Sequence, residues 1–96
     1  MDQSPSFAPE LENLLGQNVV VDVAGPFIYI GSLQDLDGNS LTLIEVDVHD
    51  LRETTTGTDR YLIDTLKHGI RVNRRRVTIM SRQVISISPL ESIVPY

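Results

Sequence analysis

The chain contains no cysteine, which excludes a disulfide framework, a thiolate metal site and a cysteine nucleophile together. It also lacks any run of eighteen consecutive apolar residues, and its opening MDQSPSFAPE has neither the basic region nor the apolar stretch of a secretory signal. A membrane partner is therefore not expected, and a cytoplasmic location is. The largest deficit is of positive charge. Residues 1 to 50 hold nine Asp and Glu and no Lys or Arg, whereas residues 51 to 96 hold four acids and all eight bases. A net charge of -5 argues against the whole surface acting as a generic polyanion binder, so any anion site has to lie in the second half.

What is present suits one small domain. Ninety-six residues, 41% hydrophobic and 22% charged, support one modest core and no second domain. Residues 1–8 are polar and carry proline, and read as a flexible arm. Pro9 and Glu10 suit the first turn of a helix, Leu11, Leu14 and Leu15 share one face at i, i+3 and i+4, and Gly16 can take a left-handed C-terminal cap. Such a short helix needs a surface on which to dock its leucines.

From Val19 the period becomes two: Val19, Val21 and Val23 point one way and Asp22 the other, the pattern of a half-buried strand. Ala24-Gly25-Pro26 is a turn, and Phe27 to Leu36 a second strand with Tyr29, Gly31 and Leu33 on one side and a bend at Gly31. Asp37-Gly38-Asn39 signals a hairpin. In the third strand, Ser40 to His49, Leu41 and Leu43 alternate on one parity and Ile44, Val46 and Val48 on the other, which predicts a bulge near Leu43-Ile44. A charged and Thr-rich loop follows, then a short helix that Thr58 can cap and Gly69 can end; its Tyr61, Leu62 and Leu66 are either a partner-binding stripe or, as is more usual for a stripe this small, packed on its own barrel. Val77 to Met80 and Val84 to Ser88 read as two short strands around Ser81-Arg82-Gln83, and Pro89 stops the last. Val21, Leu33, Leu43, Ile79 and Ile85 are the expected core.

This order of elements, and several motifs in it, resembles the Sm and Sm-like family. Leu14-Leu15-Gly16-Gln17-Asn18-Val19-Val20-Val21, Tyr29-Ile30-Gly31-Ser32-Leu33, Leu36-Asp37 and Leu41-Thr42-Leu43 are similar to the family's first motif over residues 9 to 49. The second motif departs from it: Met80-Ser81 stands at the family's Arg-Gly pair, and Ser40 stands where the family has the Asn that contacts a base. The resemblance implies a mostly β fold, a five-stranded, strongly bent open barrel with an N-terminal helix and a short helix between strands three and four. It gives a domain over 9–92 with an enlarged insertion over 50–76 and a tail over 93–96. It also implies a cyclic homo-oligomer of roughly five to seven subunits, closed head to tail. A uridine-reading pore does not carry over, because two of its diagnostic residues are replaced.

Two groups of residues are candidates for binding nucleic acid. Asp37, Asn39 and Ser40, with Arg82, would line the ring's pore by resemblance; alternatively Asp-Gly-Asn is turn chemistry alone. Arg71, Arg74, Arg75 and Arg76 form the one stretch of strong single sign, suited to phosphate by the bidentate guanidinium fork; alternatively they pair with the acidic half, within one subunit or across a ring interface. His49 and His68 sit among ordinary surface residues, and no metal site is expected. No Ser-His-Asp order, Gly-rich phosphate loop or paired carboxylate in an apolar pocket occurs, so no enzyme and no cofactor are expected. The expected function is an RNA-binding Sm-like ring with weak base specificity, single-stranded RNA being the candidate ligand. The alternative is a structural or protein-interaction ring that has lost nucleic-acid binding.

Overall fold

The computed structural model describes residues 9–53 and 57–95; the expected arm over 1–8 lies outside them. Five antiparallel strands form one sheet: β1 (Asn18–Val23), β2 (Phe27–Leu36), β3 (Ser40–Asp50), β4 (Arg74–Met80) and β5 (Val84–Pro89), in the order β4-β3-β2-β1-β5. The edge strands are consecutive in the chain and are joined only by the 3-10 turn Ser81–Gln83. In a flat sheet they would stand about 19 Å apart, four strand spacings. A three-residue 3-10 turn advances only about 6 Å. The sheet must therefore curl until its edges approach each other at that end without pairing, and the result is an open barrel. Side chains from across the sheet fill its inside, where Val19, Val21 and Val23 of β1, Leu33 of β2, Leu41, Leu43 and Val46 of β3 and Ile79 of β4 form one cluster.

The curl is concentrated at Gly31. In the β2–β3 register Ile30 faces Asp47 and Ser32 faces Ile44, so Gly31 stands against the two residues Glu45 and Val46. Glu45 takes the left-handed conformation at φ 51°. This is the bulge expected from the parity switch of β3, one to two residues later than the sequence suggested, and it turns Val46 inward in succession to Leu43. A β-carbon on Gly31 would lie 2.9 Å from the Ile44 carbonyl oxygen and 3.1 Å from Val46 Cγ2. Because the nearer obstacle is backbone, Gly31→Ala should force the strands apart and lower unfolding stability by about 1–3 kcal/mol. A chemical denaturation midpoint equal to that of the unchanged protein would show that the bulge does not depend on this close approach.

The N-terminal segment Pro9–Leu14 is a 3-10 helix, not the α-helix the leucine spacing suggested. Its three-residue period keeps Leu11 and Leu14 on one side and rotates Leu15 away. Accordingly Leu14 packs against the barrel interior while Leu15 is 44% exposed.

The second helix, α1 (Thr58–His68), lies in the β3–β4 connection. Its N-cap position is Gly57 with no side-chain capping bond, so Thr58 begins the helix and does not cap it. Gly69 ends it at φ +94°. The helix sets Leu62, Tyr61 and Leu66 against Val20, Ile28 and Ile30 on the outer face of the sheet, where Leu90 and Ile93 join them. This packing is the one expected of the Tyr61, Leu62, Leu66 stripe. It also explains why Val19, Val20 and Val21 are all buried: β1 is covered on both faces, whereas the sequence suggested a half-buried strand.

Two further differences come from pairing that local pattern does not reveal. β4 starts at Arg74 rather than Val77, because Arg74 pairs with Val46 and Arg76 with Ile44, and the ladder's hydrogen bonds do not depend on side-chain polarity. Ile85, expected in the core, is 71% exposed. Asp22 pairs with Ser86 and Val23 with Val84, leaving Ile85 as the extra residue of a bulge that turns it outward. The other four expected core residues are buried.

Candidate nucleic-acid interface

The hairpin turn between β2 and β3 is held by the Asp37 carboxylate, whose Oδ1 accepts the backbone N–H groups of Asn39 at 2.7 Å and Ser40 at 3.0 Å. The Asn39 carbonyl in turn accepts the Ser81 N–H at 2.8 Å. Thus Asp37, Asn39 and Ser40 are brought beside the Ser81–Gln83 turn that carries Arg82, and these four candidates share one end of the barrel. The Asp37 oxygen that binds the turn is committed to it, which accounts for Asp at this position by turn chemistry. Arg82 is exposed.

The other arginines lie elsewhere. Arg74, Arg75 and Arg76 are consecutive exposed residues of β4, whose only neighbour in the sheet is β3. The Arg76 guanidinium donates to Gln34 Oε1 at 3.4 Å, and that of Arg74 to the Asn73 carbonyl at 2.9 Å. Among the described residues the ion pairs are Arg52 with Asp50 at 2.8 Å and Arg60 with Asp64 at 3.4 Å. None of Arg71, Arg74, Arg75, Arg76 or Arg82 is paired with a carboxylate there. Among the described residues of the chain, the arginine run therefore does not neutralise the acidic half.

A third region was not legible in the sequence. Asp47 of β3 is 5% exposed, and both its oxygens are engaged: Oδ2 accepts the Tyr61 hydroxyl and Oδ1 the Asn73 amide at 3.2 Å. The Tyr61 ring stacks on His49 with centroids 3.8 Å apart, and His49 Nε2 is buried without a hydrogen-bond partner among the described residues. Asn73 also uses its side-chain amide as if it were a strand peptide, donating to the Val48 carbonyl at 3.1 Å and accepting the Val48 N–H at 3.0 Å. It thereby lengthens the β3–β4 ladder by one rung and fixes the chain where it enters the arginine run. His49 is thus a member of a packed polar cluster, not a surface histidine. The one local signal was Asp47, a lone acid between Val46 and Val48, but nothing nearby in sequence named its partners, 14 and 26 residues away. Asp47, His49, Tyr61, His68, Arg71 and Asn73 line an open groove of about 840 Å³.

Burial, reinforced by the Asp47 carboxyl, pushes the Tyr61 hydroxyl above its ordinary value. The folded state therefore holds this proton more tightly than the unfolded state. Its contribution to stability is complete below about pH 10, the ordinary tyrosine value, and is lost as pH rises above it. Denaturation midpoints measured from pH 8 to 11 should fall at the alkaline end, and Tyr61→Phe should flatten that fall; an equal fall in the variant would assign it to other groups. Asp50 has the opposite displacement: the Arg52 guanidinium, bonded to it at 3.0 and 2.8 Å, holds its carboxyl at about 2.

No protein-family model matches this chain, and no curated protein sequence does either. Among the described residues no helix is long and apolar enough to cross a membrane, and no three His, Cys, Asp or Glu residues cluster as metal ligands.

Proposed function

We propose that the chain is an Sm-like barrel that assembles into a cyclic homo-oligomer and binds single-stranded RNA through its phosphates, with little base specificity. The observation that carries this reading is the run of exposed arginines, Arg74 to Arg76 on the free edge strand β4 with Arg71 just before it, none with a carboxylate partner among the described residues. Guanidinium groups left unpaired on a chain of net charge -5 are suited to phosphate oxygens. Assembly is supported by the two open edges. Among the described residues β4 and β5 each have one unpaired side, and the apolar Met80 and Ile85 on them are 45% and 71% exposed. Pairing β4 of one copy with β5 of the next would cover both.

The structural-ring alternative draws on one specific observation, the commitment of Asp37 to its own turn, which weakens the case for base reading at the pore end. Binding of U-rich, A-rich and duplex RNA at two salt concentrations distinguishes the two. Under the RNA reading, replacing Arg75 and Arg76 by Ala weakens binding to U-rich and A-rich strands alike. It also lowers the salt slope by about 0.7 for each phosphate that the variant no longer neutralises. The ring itself survives in light scattering. No RNA affinity at low salt, together with a ring that dissociates in the same variant, would establish the structural reading.

A further inference from the structure

The groove built by the β3–β4 connection has polar groups that the fold does not use. Its acids bond within the fold: Asp47 accepts from the neutral donors Tyr61 and Asn73, and Asp64 pairs with Arg60. What remains uncommitted is Arg71, which is exposed and has no carboxylate within 4.0 Å among the described residues, the His68 ring, and His49 Nε2, a buried atom of the kind native proteins satisfy with a ligand or water. A guanidinium with no carboxylate within 4.0 Å among the described residues is available to an anion. Arg71 stands between Ile70 and Val72, which also line the groove, and Val72 is 47% exposed. A volume of about 840 Å³ is that of a small-molecule site, far larger than a bare phosphate ion needs. The combination of one guanidinium, flanking apolar surface and that volume matches a phosphate joined to a flat, largely apolar-faced ring.

We propose that this groove is a binding site for a nucleoside monophosphate, with the phosphate on Arg71 and the base against Val72 and Ile70. The groove's lining includes none of the β4 arginines but shares Arg71 with the proposed RNA-binding run, and nucleotide binding there does not require that the chain bind RNA.

Amide resonances of the full chain, followed by NMR at low salt during titration with AMP, adenosine or inorganic phosphate, test this. AMP should shift residues 60–73 saturably, with adenosine and phosphate each binding at least about tenfold more weakly, since each offers one of the two parts. Arg71→Gln, at an exposed position, should cost about ten- to a hundredfold in AMP affinity, the worth of a hydrogen bond to a charged group. Replacing Arg74, Arg75 and Arg76 together by Gln should change it by less than about threefold. The proposal is overturned if AMP gives no saturable shift by about 10 mM, a Kd weaker than any useful site. It is equally overturned if phosphate alone binds as tightly as AMP, or if the loss follows the β4 arginines instead of Arg71.

Discussion

Leu33→Ala should lower the unfolding free energy by about 2–5 kcal/mol, the range for deleting a buried leucine side chain. Leu33 has no solvent exposure. It lies in the inner cluster with Val19 and Val21 of β1, Leu41 and Leu43 of β3 and Ile79 of β4, so the cavity would open where both halves of the curled sheet meet. Its backbone is also tied, its N–H donating to the Gln17 carbonyl at 2.9 Å and its carbonyl accepting the Gly16 N–H at 2.7 Å. The neighbours therefore have little freedom to collapse into the space. A domain this small has only about 5–15 kcal/mol in total, so the variant should be partly unfolded at modest temperature. Ile85→Ala, on the outward bulge of β5, is the matched control and should change stability by no more than about 0.5 kcal/mol in the monomeric barrel. Equal denaturation midpoints for the two variants would contradict the assignment of the inner face.

A loss of similar size is expected at a polar position. Asp47→Ala removes the acceptor of both the Tyr61 hydroxyl and the Asn73 amide, at about 1–3 kcal/mol for each group left without a partner. The effect should have a location as well as a magnitude. Tyr61 belongs to α1, and Asn73 leads into β4, so hydrogen exchange should accelerate first over 58–73 and only later in β1 and β2. The double change Asp47→Ala with Tyr61→Phe should be less destabilising than the sum of the two single changes, because the phenol is no longer left unpaired. Strict additivity of the two would mean that the carboxyl and the phenol do not act as one unit.

The Asp47 cluster bears on function because it fixes the direction in which the arginine run leaves the groove. Asn73, held by Asp47 on one side and by the Val48 backbone on the other, is followed at once by Arg74, and Arg71 lies two residues before it. One anchor therefore sets both cationic regions, the groove and the β4 edge. The candidates Asp37, Asn39, Ser40 and Arg82, at the hairpin end of the sheet, are held separately by the bond from Ser81 N–H to the Asn39 carbonyl.

Local sequence was enough to specify the sheet's composition and most of its inner face. Alternation in Val19, Val21 and Val23, the Asp37-Gly38-Asn39 turn, the parity switch in β3 and the terminating Gly69 are all local signals, because strand period, turn conformation and positive φ are properties of short segments. The segregation of charge was equally legible, and it located the arginines in the second half. Three matters were left to long-range packing. It covered Val20 with α1 and Leu90, it turned Ile85 outward on a bulge set by its pairing with β1, and it joined Asp47, His49, Tyr61 and Asn73 into one groove. Each depends on segments far apart in the chain, and hydrophobic periodicity carries no information about which distant segment will supply the partner.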